Sequence, residues 1–156
     1  MGRLDKSIRP NKPKVVDYKS ILMRQREDFI LNYEAENINL AAGQLRNNIQ
    51  VHKYFDDSKY KGEMINGERN GNGIYYYANG DIYGGQWKNN LFHGHGSYVF
   101  AGGERYEGNL KNGKKHGRGK YFYINGNTYE GEWAFDKKNG HGTYTYAETG
   151  GRNKIC

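Results

Sequence analysis

YGGQWKNNLFHGHGSYVFAGGER, residues 83–105, is one period of a pattern that runs four times through the chain. Before it stands YKGEMINGERNGNGIYYYANGDI (60–82); after it come YEGNLKNGKKHGRGKYFYINGNT (106–128) and YEGEWAFDKKNGHGTYTYAETGGR (129–152). Position 1 is Tyr60, Tyr83, Tyr106 and Tyr129, and positions 3, 12 and 14 are glycine in every copy. Position 16 is Tyr75, Tyr98, Tyr121 and Tyr144; position 18 is Tyr77, Phe100, Tyr123 and Tyr146; position 5 is Met64, Trp87, Leu110 and Trp133. Six positions agreeing fourfold at a constant step identify a structural repeat.

Each unit alternates with period two on both sides of a turn signal, the pattern of a strand pair. Asn-Gly pairs fall inside units (Asn66-Gly67, Asn112-Gly113) and between them (Asn79-Gly80, Asn125-Gly126), and both residues accept the positive φ of tight hairpin turns. Eight strands are therefore expected over 60–147, in one sheet about 35–40 Å long at ~4.8 Å per strand. With a four-residue loop at positions 7–10, position 5 is expected opposite 12, 3 opposite 14 and 1 opposite 16. A five-residue connection at 19–23 sets 18 opposite the next unit's 1, and 16 opposite its 3. In that register large rings lie against glycines, Trp87 against Gly73 and Gly94 and Tyr98 against Gly108, and shield bare backbone. The other face carries Glu107 beside Lys120, Glu132 beside His141, and an apolar stripe of Ile74, Tyr76, Val99 and Phe122 that needs cover.

The chain has 23 glycines, 15 tyrosines and only two prolines among 156 residues. Few non-aromatic apolar residues remain for a thick two-layer core, and the aromatic content argues against a disordered linker. The net charge is +7, spread over both halves. It is densest in residues 1–14, where Arg3, Lys6, Arg9, Lys12 and Lys14 face Asp5 alone; such an arm can meet acidic proteins, anionic lipid or nucleic acid. Cys156 is the single cysteine, so no intramolecular disulfide is available and a reducing compartment is expected. No stretch approaches the ~20 apolar residues of a membrane span, and none near the N-terminus forms a signal-peptide core. Met1-Gly2 opens like an acylation site, but Lys6 stands where Ser or Thr is needed.

Four segments are expected: a basic extended arm over 1–16, a helical segment over 17–59, the repeats over 60–152, and a tail of 153–156. Asp17 is a candidate N-cap. Tyr18, Leu22, Phe29 and Tyr33, then Ile38, Ala42, Leu45 and Ile49, recur at helical spacing, although Gly43 and Asn47-Asn48 weaken the second half. Two roles are open: a cap over the first hairpin and the apolar stripe, or an independent helix for a partner's groove.

Catalytic chemistry finds no support. His93-x-His95 sits on repeat positions 11 and 13, beside a single distant cysteine, and metal ligation is not expected. Gly108 to Lys115 nearly spells a phosphate-binding loop, but Lys115 replaces the required Ser or Thr and the run is repeat positions 3–10. No nucleophile, general acid or cofactor set stands out. Lys111, Lys114, Lys115, Arg118 and Lys120 form a basic run interleaved with Tyr121 and Tyr123. The repeat already explains those tyrosines, so an anionic membrane surface is a stronger expectation than nucleic acid.

The motif Y-x-G-x-W/L/M, then H/N-G-x-G-x-Y-x-Y/F, then N-G-D, resembles the MORN-repeat family over residues 60–146. The resemblance implies a mainly β fold: an elongated single-layer antiparallel sheet of four stacked hairpins, with the N-terminal helical segment and basic arm added. It also implies a module of assembly, cytoskeletal or membrane-apposition type whose catalysis, where present, belongs to an attached domain. Tyr144 to Gly150 (YTYAETG) is similar to a stretch of MORN proteins of the ciliary radial-spoke head, which implies a cytoskeletal, axonemal setting in the cytoplasm. The expected function is thus a non-enzymatic scaffold or adaptor within a large protein complex, the alternative being a peripheral tether to anionic lipid. An aromatic docking surface centred on Trp87, Tyr98, Tyr121 and Trp133 is expected, because aromatic side chains are the usual energetic centres of interfaces.

Overall fold

The computed structural model describes residues 16–39, 45–46 and 48–147, and the backbone of 153–155. One helix, α1 (Tyr18–Asn37), precedes ten strands: β1 (Ile49–Lys53), β2 (Lys59–Ile65), β3 (Glu68–Tyr76), β4 (Ile82–Lys88), β5 (Leu91–Val99), β6 (Arg105–Lys111), β7 (Lys114–Phe122), β8 (Thr128–Ala134), β9 (Lys137–Thr145) and β10 (Asn153–Ile155). They form a single antiparallel sheet in sequence order. The eight repeat strands appear where alternation placed them, β2 to β9, and the sheet continues by one strand at either edge.

Those edge strands correct two expectations. Ile49–Lys53 is strand, not helix: it pairs with β2, setting His52 opposite Tyr60. The connection that follows copies the turn between repeats. Tyr54 N–H donates to Ser58 O and Asp57 N–H to Tyr54 O, as Tyr77 does to Asp81 and Gly80 to Tyr77 one unit later. Residues 49–58 are thus the second half of an incomplete repeat. At the other edge, the expected tail holds β10, with Lys154 opposite Tyr144, the position a fifth unit's first residue would take.

The register within units also differs from the expected one. Positions 3 with 14 and 1 with 16 pair as anticipated (Gly62 with Gly73, Tyr60 with Tyr75), but Met64 faces Arg69, position 10. The hairpin turn has only two residues, both at positive φ: Asn66 and Gly67 at 50° and 78°, Asn112 and Gly113 at 50° and 79°. This is the type I′ geometry that suits right-handed strand twist. The residues left over form a bulge in the second strand, turned by Gly71 at φ 76°. Between units the connection is also displaced by two, so that Tyr75 faces Tyr83 and Gly73 faces Gly85.

Shifts of two preserve which face each side chain occupies, and the corrected register aligns like with like. Gly62, Gly73, Gly85, Gly96, Gly108, Gly119, Gly131 and Gly142 form one unbroken row across the strands, and Tyr60, Tyr75, Tyr83, Tyr98, Tyr106, Tyr121, Tyr129 and Tyr144 form the adjacent row. Tyrosine rings therefore cover glycines diagonally, the Tyr60 ring lying over Gly62 and Gly73 and Tyr83 over Gly85 and Gly96, while Trp87 and Trp133 stand directly opposite Gly71 and Gly117. Hairpin tips add a backward lock. Asn90 N–H donates to Arg69 O at 3.0 Å, Gly113 N–H to Phe92 O at 3.0 Å, and Asp136 N–H to Lys115 O at 3.1 Å, each tip holding the preceding unit.

The other face is covered by α1, the capping role. Asp17 caps its first turn, accepting from Ser20 N–H at 3.2 Å. Phe29, Ile30 and Tyr33 pack on buried Ile74, Ile82 and Val99, with Ile38 closing the end. Gly84 admits the helix: a Cβ there would meet Phe29 Cζ at 2.7 Å. Polar contacts fix its position, with Arg26 donating to Gly80 O (2.8 Å), Tyr33 Oη to Gly85 O (3.0 Å), and Glu34 bonding the Tyr76 hydroxyl and Lys61 Nζ (3.0 Å). Its N-terminal end reaches the third inter-unit turn, where Tyr18 lies on Gly126.

Candidate functional site

The face opposite α1 is built from position 5 upward. Trp87 stands edge-on to Tyr60 (5.6 Å, 86°) and Tyr83 (5.0 Å, 89°), and its indole N–H donates to Gly73 O at 3.0 Å. Trp133 repeats this arrangement two units on, against Tyr106 (5.5 Å, 85°) and Tyr129 (5.3 Å, 86°), donating to Gly119 O at 3.0 Å. Edge-to-face packing is favourable because the positive ring edge meets the negative face. The hydroxyls of Tyr60, Tyr83, Tyr106 and Tyr129 each donate to the carbonyl of position 4, satisfying the backbone beside the bulge.

Trp87 and Trp133, on which the docking surface was expected to centre, are consequently interior groups, 4% and 6% exposed, set in from the margin of this face. Tyr98 and Tyr121 do reach that margin, half-buried. Their hydroxyls bond Asp81 (2.6 Å) and Glu104, and burial, then these carboxylate bonds, raise both phenol pKa values. Ser58 with Tyr75 (2.8 Å) and Asn127 with Tyr144 (3.1 Å) complete the same ladder, position 22 to the next unit's 16. Along this margin runs a ribbon of rings: Tyr77 to Tyr98 (5.9 Å), Phe100 (4.7 Å), Tyr121 (6.2 Å), Tyr123 (4.7 Å), Tyr144 (5.6 Å) and Tyr146 (4.8 Å).

The basic run does not converge. Lys115 belongs to the aromatic face, its ammonium over Tyr106, Tyr121 and Trp133 at 5.3–5.8 Å and 3.9 Å from Asp136. Lys120 lies on the opposite face, 3.9 Å from Glu130 and stacked on Phe122. Lys111 and Lys114 pair across a hairpin end, and Arg118 lies opposite Glu132. The arm residues Arg3, Lys6, Arg9, Lys12 and Lys14 lie outside the described residues. Position 10, by contrast, forms a column of cations over rings that was not anticipated from sequence: Arg69, Lys115 and Lys138 each set a cation over a cluster of rings, while the second unit has Phe92 there. Its signal was present, since three of four units carry Arg or Lys at one register.

Among the described residues, no three His, Cys, Asp or Glu side chains gather as metal ligands, and no helix is long and apolar enough to cross a membrane. A family model for the MORN repeat matches residues 60–82, 83–105, 106–128 and 129–149. A comparison with curated proteins finds no match.

Proposed function

Because the chain belongs to the MORN-repeat family, whose non-catalytic repeats engage proteins or membranes, we propose that it is a non-enzymatic scaffold that docks a protein partner along its ribbon of rings. The observation that carries this reading is an asymmetry of cover. The aliphatic face has its lid in α1, whereas the aromatic face retains a row of half-buried rings from Tyr77 to Tyr144. Contiguous apolar surface of this kind marks binding sites, and tyrosine supplies large contact area at low conformational cost. The dispersal of the lysines over two faces favours a protein over an anionic membrane.

The test compares partner recovery by the wild type and by a Tyr123→Ser, Tyr146→Ser variant whose fold is verified by circular dichroism. Recovery of the wild type's partners should fall severalfold in the variant. Undiminished recovery would refute the ribbon as the contact surface, as would salt-sensitive sedimentation of the wild type with anionic liposomes in the absence of a protein partner.

A further inference from the structure

Position 5 anchors each unit, yet the third unit carries Leu110 where the second and fourth carry Trp87 and Trp133. The substitution leaves a space. A cavity of about 270 Å³ lies beside Leu110, lined by Phe92, Tyr98, Phe100, Tyr106, Lys115 and Asp136, among others. Phe92, Tyr98, Tyr106 and Lys115 hold the repeat positions that Arg69, Tyr75, Tyr83 and Phe92 hold around Trp87. The cavity is therefore walled as an indole pocket whose indole is missing. Trp87 and Trp133 donate to the carbonyls of Gly73 and Gly119; Gly96 holds that repeat position here, and a leucine offers it no donor. In the first unit, where Met64 holds position 5, the Arg69 guanidinium lies within 6.0 Å of the Tyr54, Tyr60, Tyr75 and Trp87 rings.

We propose that this socket receives an indole-sized aromatic side chain, a tryptophan of the partner protein, which completes the array's own packing in the third unit. The inference rests on the protein-docking reading above. An apolar cavity of roughly 150 Å³ suffices for a benzene ring, so the volume admits a bicyclic ring and falls short of a typical drug-sized pocket. The walls offer the rings of Phe92, Tyr98, Phe100 and Tyr106, with Lys115 and Asp136 as polar groups beside them. Phe100 and Tyr98 belong also to the half-buried ribbon, so a segment lying along the ribbon could lower one side chain into the socket.

The test titrates N-acetyl-tryptophanamide into the isotopically labelled full chain and follows backbone amide shifts. Saturable shifts centred on Phe92, Tyr98, Leu110 and Lys115 are expected, with a Kd on the order of 1 mM for so small a probe. Leu110→Trp fills the socket internally and should abolish them while leaving the folded spectrum and raising the melting temperature. Phe100→Ala removes a wall and should weaken binding about threefold or more. Absence of saturable shifts in the wild type, or unchanged binding in a folded Leu110→Trp chain, overturns the proposal. If Leu110→Trp does not fold, unchanged affinity in Phe100→Ala overturns it. Free indole that binds where the amide-bearing probe does not would overturn the assignment to a protein side chain. Socket binding together with undiminished partner recovery in the Tyr123, Tyr146 variant would keep the socket and refute the ribbon, so the two failures are distinguishable.

Discussion

Replacing Gly73 by alanine isolates what the glycine row does. Gly73 has no positive φ, so alanine can adopt its backbone freely, and any cost must be steric. The added methyl would be driven into the Tyr60 ring, far inside the ~3.5–4.0 Å of ordinary carbon contact. Tyr60 has no room to retreat. It is fully buried, its hydroxyl donates to Glu63 O at 2.7 Å, and its ring receives the edge of Trp87. Overpacking costs about 1–3 kcal/mol, the lost hydroxyl bond about 1 kcal/mol, and the broken ring pair about 0.5–1.5 kcal/mol, so the variant should lose about 3–5 kcal/mol. At about 2–4 °C per kcal/mol for a chain of this size, the melting temperature should fall by at least ~6 °C. The control is Gly67→Ala, at φ 78° with nothing within 4 Å of the new methyl, where strain alone costs about 1–2 kcal/mol. Urea titrations of both, and of Gly73→Ala in a Tyr60→Ala background, separate the causes. With the ring gone, the second substitution should cost only a few tenths of a kcal/mol. Equal losses at Gly73 and Gly67, or an additive double mutant, would show that ring-on-glycine packing is not what the row is for.

Other outcomes follow from single sites. Partial burial alone would raise the Glu34 carboxyl, but the Tyr76 hydroxyl and Lys61 outweigh it and hold its pKa low; stability from this group is thus present above the unfolded pKa of about 4.3 and lost as pH falls through the lower folded value. The gap in urea midpoint between wild type and Glu34→Gln should be visible at pH 7 and shrink as pH falls below about 4.3; a constant gap would contradict the linkage. Burial raises eight tyrosines, Tyr33, Tyr60, Tyr76, Tyr77, Tyr83, Tyr98, Tyr106 and Tyr121, so stability is full below pH ~10 and lost as pH rises toward their folded values. An absorbance titration of phenolate should leave these eight un-ionised at pH 10 in the folded chain, and fifteen equivalent tyrosines would refute the buried core. Phe135 sits 72% exposed at φ 51° in a type I′ turn; Phe135→Asn should stabilise by about 0.5–1 kcal/mol, and a lower melting temperature would mean that the ring contributes contacts worth more than the strain.

The faces of the sheet were legible because they depend only on a period of two. Tyrosine and glycine at odd positions before the turn and even positions after it share a side whether the loop holds two residues or four. Register was not legible for the same reason: Asn66-Gly67 marks a turn, but the sequence does not say that Gly71 will absorb the surplus residues in a bulge. The first half of the helix was readable from Tyr18, Leu22, Phe29 and Tyr33, all of which meet the sheet. Helical spacing carries on through Leu45 to Ile49, although the spacing of Tyr54 to Ser58 before Tyr60 matches that of Tyr77 to Asp81 before Tyr83. At the site, composition named the aromatic residues correctly but not their depth. Whether Trp87 projects or lies down depends on the carbonyl of Gly73, fourteen residues away, and on glycine rows that leave it somewhere to lie.

The backward locks at the hairpin tips set an order for synthesis. Each tip donates to a carbonyl that left the ribosome about twenty residues earlier, Asn90 to Arg69, Gly113 to Phe92 and Asp136 to Lys115. Every new hairpin thus meets a backbone acceptor already in place, and its Asn90 or Asp136 side chain in turn accepts from the waiting N–H of Arg69 or Lys115. The turn at Tyr54–Ser58 provides the first template, before any complete unit has emerged. A nascent chain halted after Val99 would hold two complete hairpins, β2 with β3 and β4 with β5, so the sheet can zip vectorially from its N-terminal edge at the pace of elongation.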